Sequence, residues 1–355
     1  MALSLQLDRR MLPAPTATAL RQAATKPVGF IELWRNSSQR RFERDVLEGL
    51  SAASKRIPYP YLFDERGAQL AELILDTPEY YLSRAEREIV LRHEPKLIGT
   101  LAQGPCDVID LAPEDCVRTR LLLERFRHSD VRYVPVAASE HTLREAVSNG
   151  ARRLAWLPMF PLRADGHAAI AHIGAFDPSR TRLVLWLGSQ IGQLERPAAL
   201  QLLRGLREVL RPGDRLLVSF DLLKEAQRME AAYCDAAGLN AELDSNILTR
   251  IDRELRGQFQ LEHFARRVRF CTERQAVVCE LISRRAHSVR VGHFRHEFRA
   301  GEPIEVRLAC KYKSVELHGY AQRAGFTERA WFSDERASLK LGVWSVPPTA
   351  AARLG

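Results

Sequence analysis

Between residues 107 and 220 short apolar segments alternate with amphipathic ones. Residues 107–111 read as a buried strand, followed by a helix over 118–127. A second strand at 133–136 leads into a helix over 142–149, and 154–157 is read as a shorter third strand. Residues 183–187 form an apolar strand ending at Gly188, with a helix over 197–210, and 216–220 follow the turn Arg211-Pro212-Gly213-Asp214. Strands that alternate with helices build a doubly wound parallel α/β sheet, because parallel neighbours need a crossover and the helices cover both faces. Ligands in such sheets sit beyond the C-terminal strand ends, at the point where the strand order reverses. The residues after Leu111, Val136 and Leu187 are therefore the ones to inspect.

The flanks have a different pattern. Helical periodicity runs over 30–95, broken by Tyr59-Pro60-Tyr61 and Thr77-Pro78-Glu79-Tyr80-Tyr81. A helix-rich stretch at 225–255 gives way to strands at 264–272, 276–283 and 304–312. A helix over 315–324 and a strand pair at 330–332 and 339–345 close the chain. The expected organisation is a flexible leader (1–28), a helical part of a substrate domain (29–95) and a first sheet part (96–223). An α+β insertion (224–311) and a C-terminal sheet part (312–355) follow.

A formal net charge of +9 invites a nucleic-acid partner, but the arginines are scattered among nearly as many acids. Only Arg266-Arg267-Val268-Arg269 clusters, with Arg267 and Arg269 on one strand face, so a solvated basic surface is expected and nucleic acid is not. No stretch is apolar enough for a membrane span or a secretory signal. The six cysteines form no CxxC pair and no metal-ligand spacing with histidine, which points to a reduced, cytoplasmic protein without a metal. His141, His263, His287 and His318 are read as isolated residues.

Several ordered segments carry a resemblance. They are Phe63-Asp64-Glu65-Arg66-Gly67, Pro78-Glu79-Tyr80-Tyr81-Leu82-Ser83-Arg84-Ala85-Glu86 and Leu187-Gly188-Ser189-Gln190-Ile191-Gly192, then Arg211-Pro212-Gly213-Asp214 and Asp221-Leu222-Leu223-Lys224. Ala232-Tyr233-Cys234-Asp235-Ala236-Ala237-Gly238 and Cys310-Lys311-Tyr312 complete the series. From about residue 60 onward the chain resembles the histidine-specific Nα-methyltransferases of ergothioneine biosynthesis. The resemblance implies a class I, Rossmann-like methyltransferase fold with a smaller substrate-domain insertion, and S-adenosylmethionine as cofactor.

It also implies where the cofactor is held, and there the chain departs. The family has a Glu-Leu-Gly-Ser-Gly-like loop followed by Lys-Thr, where glycines let the backbone approach the ligand. Here Asp110 and Arg118-Thr119 keep that register, so Ala112 and Glu114 occupy the glycine positions and Pro113 removes a donor. Ala137 stands at the family's ribose-binding acid, and Met159-Phe160 at its adenine-binding Asp-Phe, with Phe160 keeping the ring. Gly188 completes the cofactor contacts. These changes are expected to weaken or abolish S-adenosylmethionine binding, unless Glu114 or Asp115 replaces the ribose acid.

On the substrate side the resemblance maps the groups that hold an α-amino acid onto Tyr80, Gln193 and Tyr233, with Tyr80 also the catalytic candidate. Both tyrosines could instead serve packing. The family's imidazole-binding Glu and Ser fall at Arg307 and Ala309, and Phe63 replaces a Tyr. A guanidinium suits an anionic group better than imidazole, unless an internal acid takes it up. Two readings follow. One is a pseudo-methyltransferase that binds a small amino-acid-like ligand or a partner protein and does not methylate histidine. The other is an active N-methyltransferase on an anionic, amino-acid-like substrate. A nucleic-acid methyltransferase would rest on charge and fold alone.

Overall fold

A computed structural model describes residues 31–32, 38–101, 104–111, 113, 116–164, 166–174 and 176–348. The expected leader (1–28) lies outside them. In chain order the strands are β1 (Ile31–Glu32), β2 (Lys55–Arg56), β3 (Cys106–Asp110), β4 (Val131–Ala137), β5 (Leu162–Arg163), β6 (Thr181–Trp186) and β7 (Arg215–Asp221). They continue as β8 (Phe264–Cys271), β9 (Ala276–Ser283), β10 (His287–Val291), β11 (Phe294–Phe298), β12 (Pro303–Cys310), β13 (Thr327–Ser333) and β14 (Leu339–Ser345).

The main sheet has the order β1-β5-β4-β3-β6-β7-β14-β13. Its first six strands are parallel and β14 runs antiparallel to β7. This is the class I methyltransferase arrangement, with an added N-terminal strand at one edge. Every residue of β3 is buried, as a central parallel strand covered on both faces requires. The chain leaves β3 toward β4 and β5, then returns to place β6 on β3's other side, so the order reverses between β3 and β6. The turn before β7 depends on Gly213 at φ 102°, a conformation that a side chain would strain. Asp214 closes the turn by accepting from the amides of Arg182 and Arg211 at 2.9 and 2.8 Å.

A second sheet, β2-β12-β9-β8, is built mostly from the segment after β7. Helices Ser38–Ser51, Glu65–Leu75 and Leu239–Leu255 share a core with it through Phe42, Leu70, Ile247, Ile251 and Leu281. Helices Tyr81–Arg92 and Glu94–Leu101 pack instead on the main sheet, through Ile89 and Leu97. In packing terms the segment 29–95 therefore divides near Tyr80, which touches both cores.

Several expectations are corrected. The third strand is Leu162–Arg163, not 154–157. Residue 154 caps helix Glu140–Arg153, because that helix runs longer than its apolar stripe suggested. The segment 315–324 holds two short helices, Ser314–Leu317 and Tyr320–Arg323. The hairpin β10–β11 was not foreseen, since its exposed alternate positions are charged or aromatic. His263 and His287, read as isolated, face each other at 5.0 Å between ring centroids. Arg267 and Arg269 do share a strand face, and both bond Glu280 on β9, at 2.8 and 3.1 Å. Among the described residues no helix is long and apolar enough to cross a membrane, and no His, Cys, Asp or Glu group could hold a metal ion.

Candidate active site at the junction of the two sheets

The residues after β6 make the sharpest bend near the site. Gly188 has φ 72° and Ser189 φ 52°, two consecutive left-handed residues, and a 3-10 turn Gln190–Gln193 follows. Buried Glu86 accepts the Gly188 amide at 2.7 Å, and Ser219 Oγ accepts the Ser189 amide at 2.7 Å. These bonds aim Gln193 into a cavity of about 60 Å³ that it lines with Tyr80, Tyr233, Arg307 and Lys311. The chain thus brings the four expected substrate residues to one place, from four separate segments.

Tyr233 is half-buried between two cations. Its hydroxyl accepts from Lys311 Nζ at 3.2 Å, and the Lys311 ammonium and Arg307 guanidinium lie 5.0 and 5.4 Å from its ring centroid. Burial pushes its pKa up, against the opposing pull of Lys311, so it is a neutral phenol near pH 7. Tyr80 stands at the N-terminal cap of helix Tyr81–Arg92, its amide held by the Thr77 carbonyl at 3.2 Å.

Arg307 does not present a free cation. Its Nε lies 2.6 Å from Asp244 Oδ1, and its Nη2 donates to Asn240 Oδ1 at 2.8 Å. Burial alone would lower its pKa, but Asp244 outweighs that and keeps the guanidinium charged. The second Asp244 oxygen accepts from Arg266 Nε at 2.6 Å, and Arg266 also holds the Tyr233 carbonyl at 2.6 Å. The charge reversal expected at residue 307 is thus present but balanced by an internal acid.

A second buried network lies opposite. Asp221, at the end of β7, receives Lys224 and Lys311 at 2.5 Å each and the Tyr81 hydroxyl at 2.8 Å. Asp221 and Lys224 occur in a segment that carried the resemblance, yet nothing local in the sequence points to Lys311 as their partner. Asp244 left a weak trace: it falls on the buried stripe Asn240, Asp244, Ile247, Ile251 of its helix, where a carboxylate calls for a partner.

The cofactor residues fare differently. Asp110 is buried at the end of β3, and its Oδ2 accepts from Thr119 Oγ1 and Tyr133 OH, each at 2.9 Å. Ala112 and Glu114 lie outside the described residues, as does the side chain of Arg118. Ala137 ends β4 with a methyl group, so this position offers a ribose no acceptor. Phe160 is corrected: Met159 makes an isolated bridge with Tyr133 ahead of the third strand, and Phe160 is buried in the core under Arg132. The strand ends at Arg163, and Asp165, two residues further along the sequence, lies outside the described residues. Among the described residues the tight backbone at Gly188 leaves room for S-adenosylmethionine beyond β6, and the Ala137 side chain supplies no acceptor beyond β4.

Comparison with known proteins agrees with this architecture. Residues 42–346 match the family described as histidine-specific, S-adenosylmethionine-dependent methyltransferases. Histidine N-alpha-methyltransferase of Mycolicibacterium smegmatis is 31% identical over 87% of this chain and 96% of its own length. Its Mycobacterium tuberculosis counterpart is 30% identical over 84% and 93%. The N-methyltransferase imqF of Aspergillus flavus is 21% identical over 94% and 92%. The chain belongs to the histidine-specific, S-adenosylmethionine-dependent methyltransferase family.

Proposed function

We propose that this chain is a pseudo-methyltransferase of its family, which holds an anionic, amino-acid-like ligand between Tyr80, Gln193 and Tyr233 and does not methylate histidine. The Arg307–Asp244 pair carries this reading. An imidazole N–H needs an acceptor, and the Asp244 carboxylate lies 2.6 Å from both Arg307 and Arg266 as their shared counter-charge. Ala309, which lines the cavity with Arg307, offers none. Asp244 with Arg266 and Arg307 carries a net charge of +1, as does Asp221 with Lys224 and Lys311. A cavity flanked by two such clusters favours an anion over a cation. Tyr80 and Tyr233 offer phenols, and Gln193 an amide, for the ligand's carboxylate and amine.

The test is calorimetric titration with S-adenosylmethionine and S-adenosylhomocysteine. Neither should bind at micromolar concentration, and histidine should give no methylated product. Micromolar binding of either compound would overturn the reading. For the ligand end, Arg307→Ala and Gln193→Ala are compared with the wild type against a panel of acidic, neutral and basic amino acids. Acidic ones should bind best and lose about tenfold or more in either variant. If Arg307→Ala folds and leaves every affinity unchanged, Arg307 is a purely structural residue.

A second reading is an active N-methyltransferase on an anionic amine. It is supported by relatives such as imqF, whose name specifies no histidine. Tight cofactor binding in the same titration would favour it.

A further inference from the structure

Away from that site a larger cavity, of about 240 Å³, lies between helices Cys116–Glu124 and Glu140–Arg153 and against β4. Leu123, Ala146, Leu154 and Met159 give it apolar walls, together with the ring of Tyr133. Its cations are Arg120 and Arg153. Arg153, exposed in the last turn of its helix, makes no ion pair among the described residues. Among the described residues Arg120 pairs with Glu124, at 3.5 Å, and its buried Nε makes no hydrogen bond. By contrast, Arg132 and Arg180 are matched at close range, both on Asp107, at 2.7 and 2.8 Å. Two under-used guanidinium groups beside an apolar recess are the complement of an organic anion with an apolar body.

We infer that this cavity binds a small aromatic or branched-chain carboxylate. Its carboxylate bonds Arg120 and Arg153, and its body packs on Leu123, Ala146 and Met159. The inference is independent of the function proposed above. It also places the occupant against Thr119 and Tyr133, whose hydroxyls hold Asp110 at the entrance to the loop after β3. Occupancy therefore bears on the segment in which the family's glycines have been replaced.

The full chain is titrated with 4-methylbenzoate, with the neutral isostere 4-methylbenzamide, and with inorganic phosphate. The benzoate should saturate at millimolar concentration or below, and the amide and phosphate should each bind at least about tenfold more weakly. Arg153→Gln, an exposed change that leaves the fold intact, should weaken the benzoate about tenfold, and Ala146→Phe, which fills the recess, should abolish it. Gln193→Ala should leave it unchanged. Several results would overturn the inference: no saturation by the benzoate, equal binding of the amide or phosphate, or an affinity unmoved by Arg153→Gln. Loss of binding in Gln193→Ala would place the ligand in the other cavity and overturn it as well.

Discussion

Replacing Asp221 by Asn is expected to cost roughly 3–5 kcal/mol of folding stability, the scale for breaking a buried ion pair by removing one partner. Asn keeps the shape of the side chain and removes only the charge. Lys311 is 1% exposed and Lys224 10%, so two ammonium groups would be left without a counter-charge where water cannot supply one. The loss should be large because Asp221 joins the two sheets. Its carboxylate holds Lys311 from the end of β12, its backbone carbonyl accepts the Tyr312 amide at 2.9 Å, and Tyr81 reaches it from the first turn of its helix. Urea denaturation measures the loss, and adding Lys311→Met to the Asn variant should recover part of it. A loss below about 1 kcal/mol would mean that water enters the network freely.

The same residue sets an acid limit. Burial alone would raise the Asp221 pKa, but Lys311 and Lys224 outweigh it and hold the carboxyl below its ordinary value. A folded-state value below the unfolded one contributes stability above the unfolded value, and that contribution is lost as pH falls further. Wild type should therefore lose stability below about pH 4, the unfolded aspartate range, and the Asn variant should lack that share of the acid transition.

The second large effect is a gain. Ala112→Gly, Glu114→Gly and Ala137→Asp together should tighten S-adenosylhomocysteine binding by about two orders of magnitude or more. The glycines allow close backbone approach, and the carboxylate returns a charge-assisted bond to the ribose, a contact worth roughly 1.5–3 kcal/mol. Ala137→Asp alone should give about tenfold. Calorimetry reads both. If the triple variant gains nothing, the chain's cofactor grip was never limited by these positions.

Local pattern was enough for much of the fold. Periodicity placed β3, β4, β6 and β7 and the helices read at 118–127, 142–149 and 197–210, though not helix Gly166–Ile173, because a buried parallel strand and an amphipathic helix each leave a signature within about ten residues. The order of the parallel strands followed from the family resemblance. Where the pattern was short it misled: a third strand of two residues, Leu162–Arg163, carries almost no signature, so 154–157 took its place and Phe160 was put at the wrong end.

The site divides along the same line. Motif order was sufficient to gather Tyr80, Gln193, Tyr233 and Arg307, and the structure sets all four around one cavity. The charge each of them presents was not legible. The sequence left open whether Arg307 meets a ligand or an internal acid, and Asp244, on a helix far away in the chain, is the acid that pairs with it. Lys311 and Asp221, 90 residues apart, form a pair for which neither leaves a local sign. By itself, then, the sequence determined which elements form and which side chains gather at their ends. Only the tertiary structure decided which charges are spent on one another, because an ion pair depends on a distance of a few ångströms between segments whose separation along the chain encodes nothing about it.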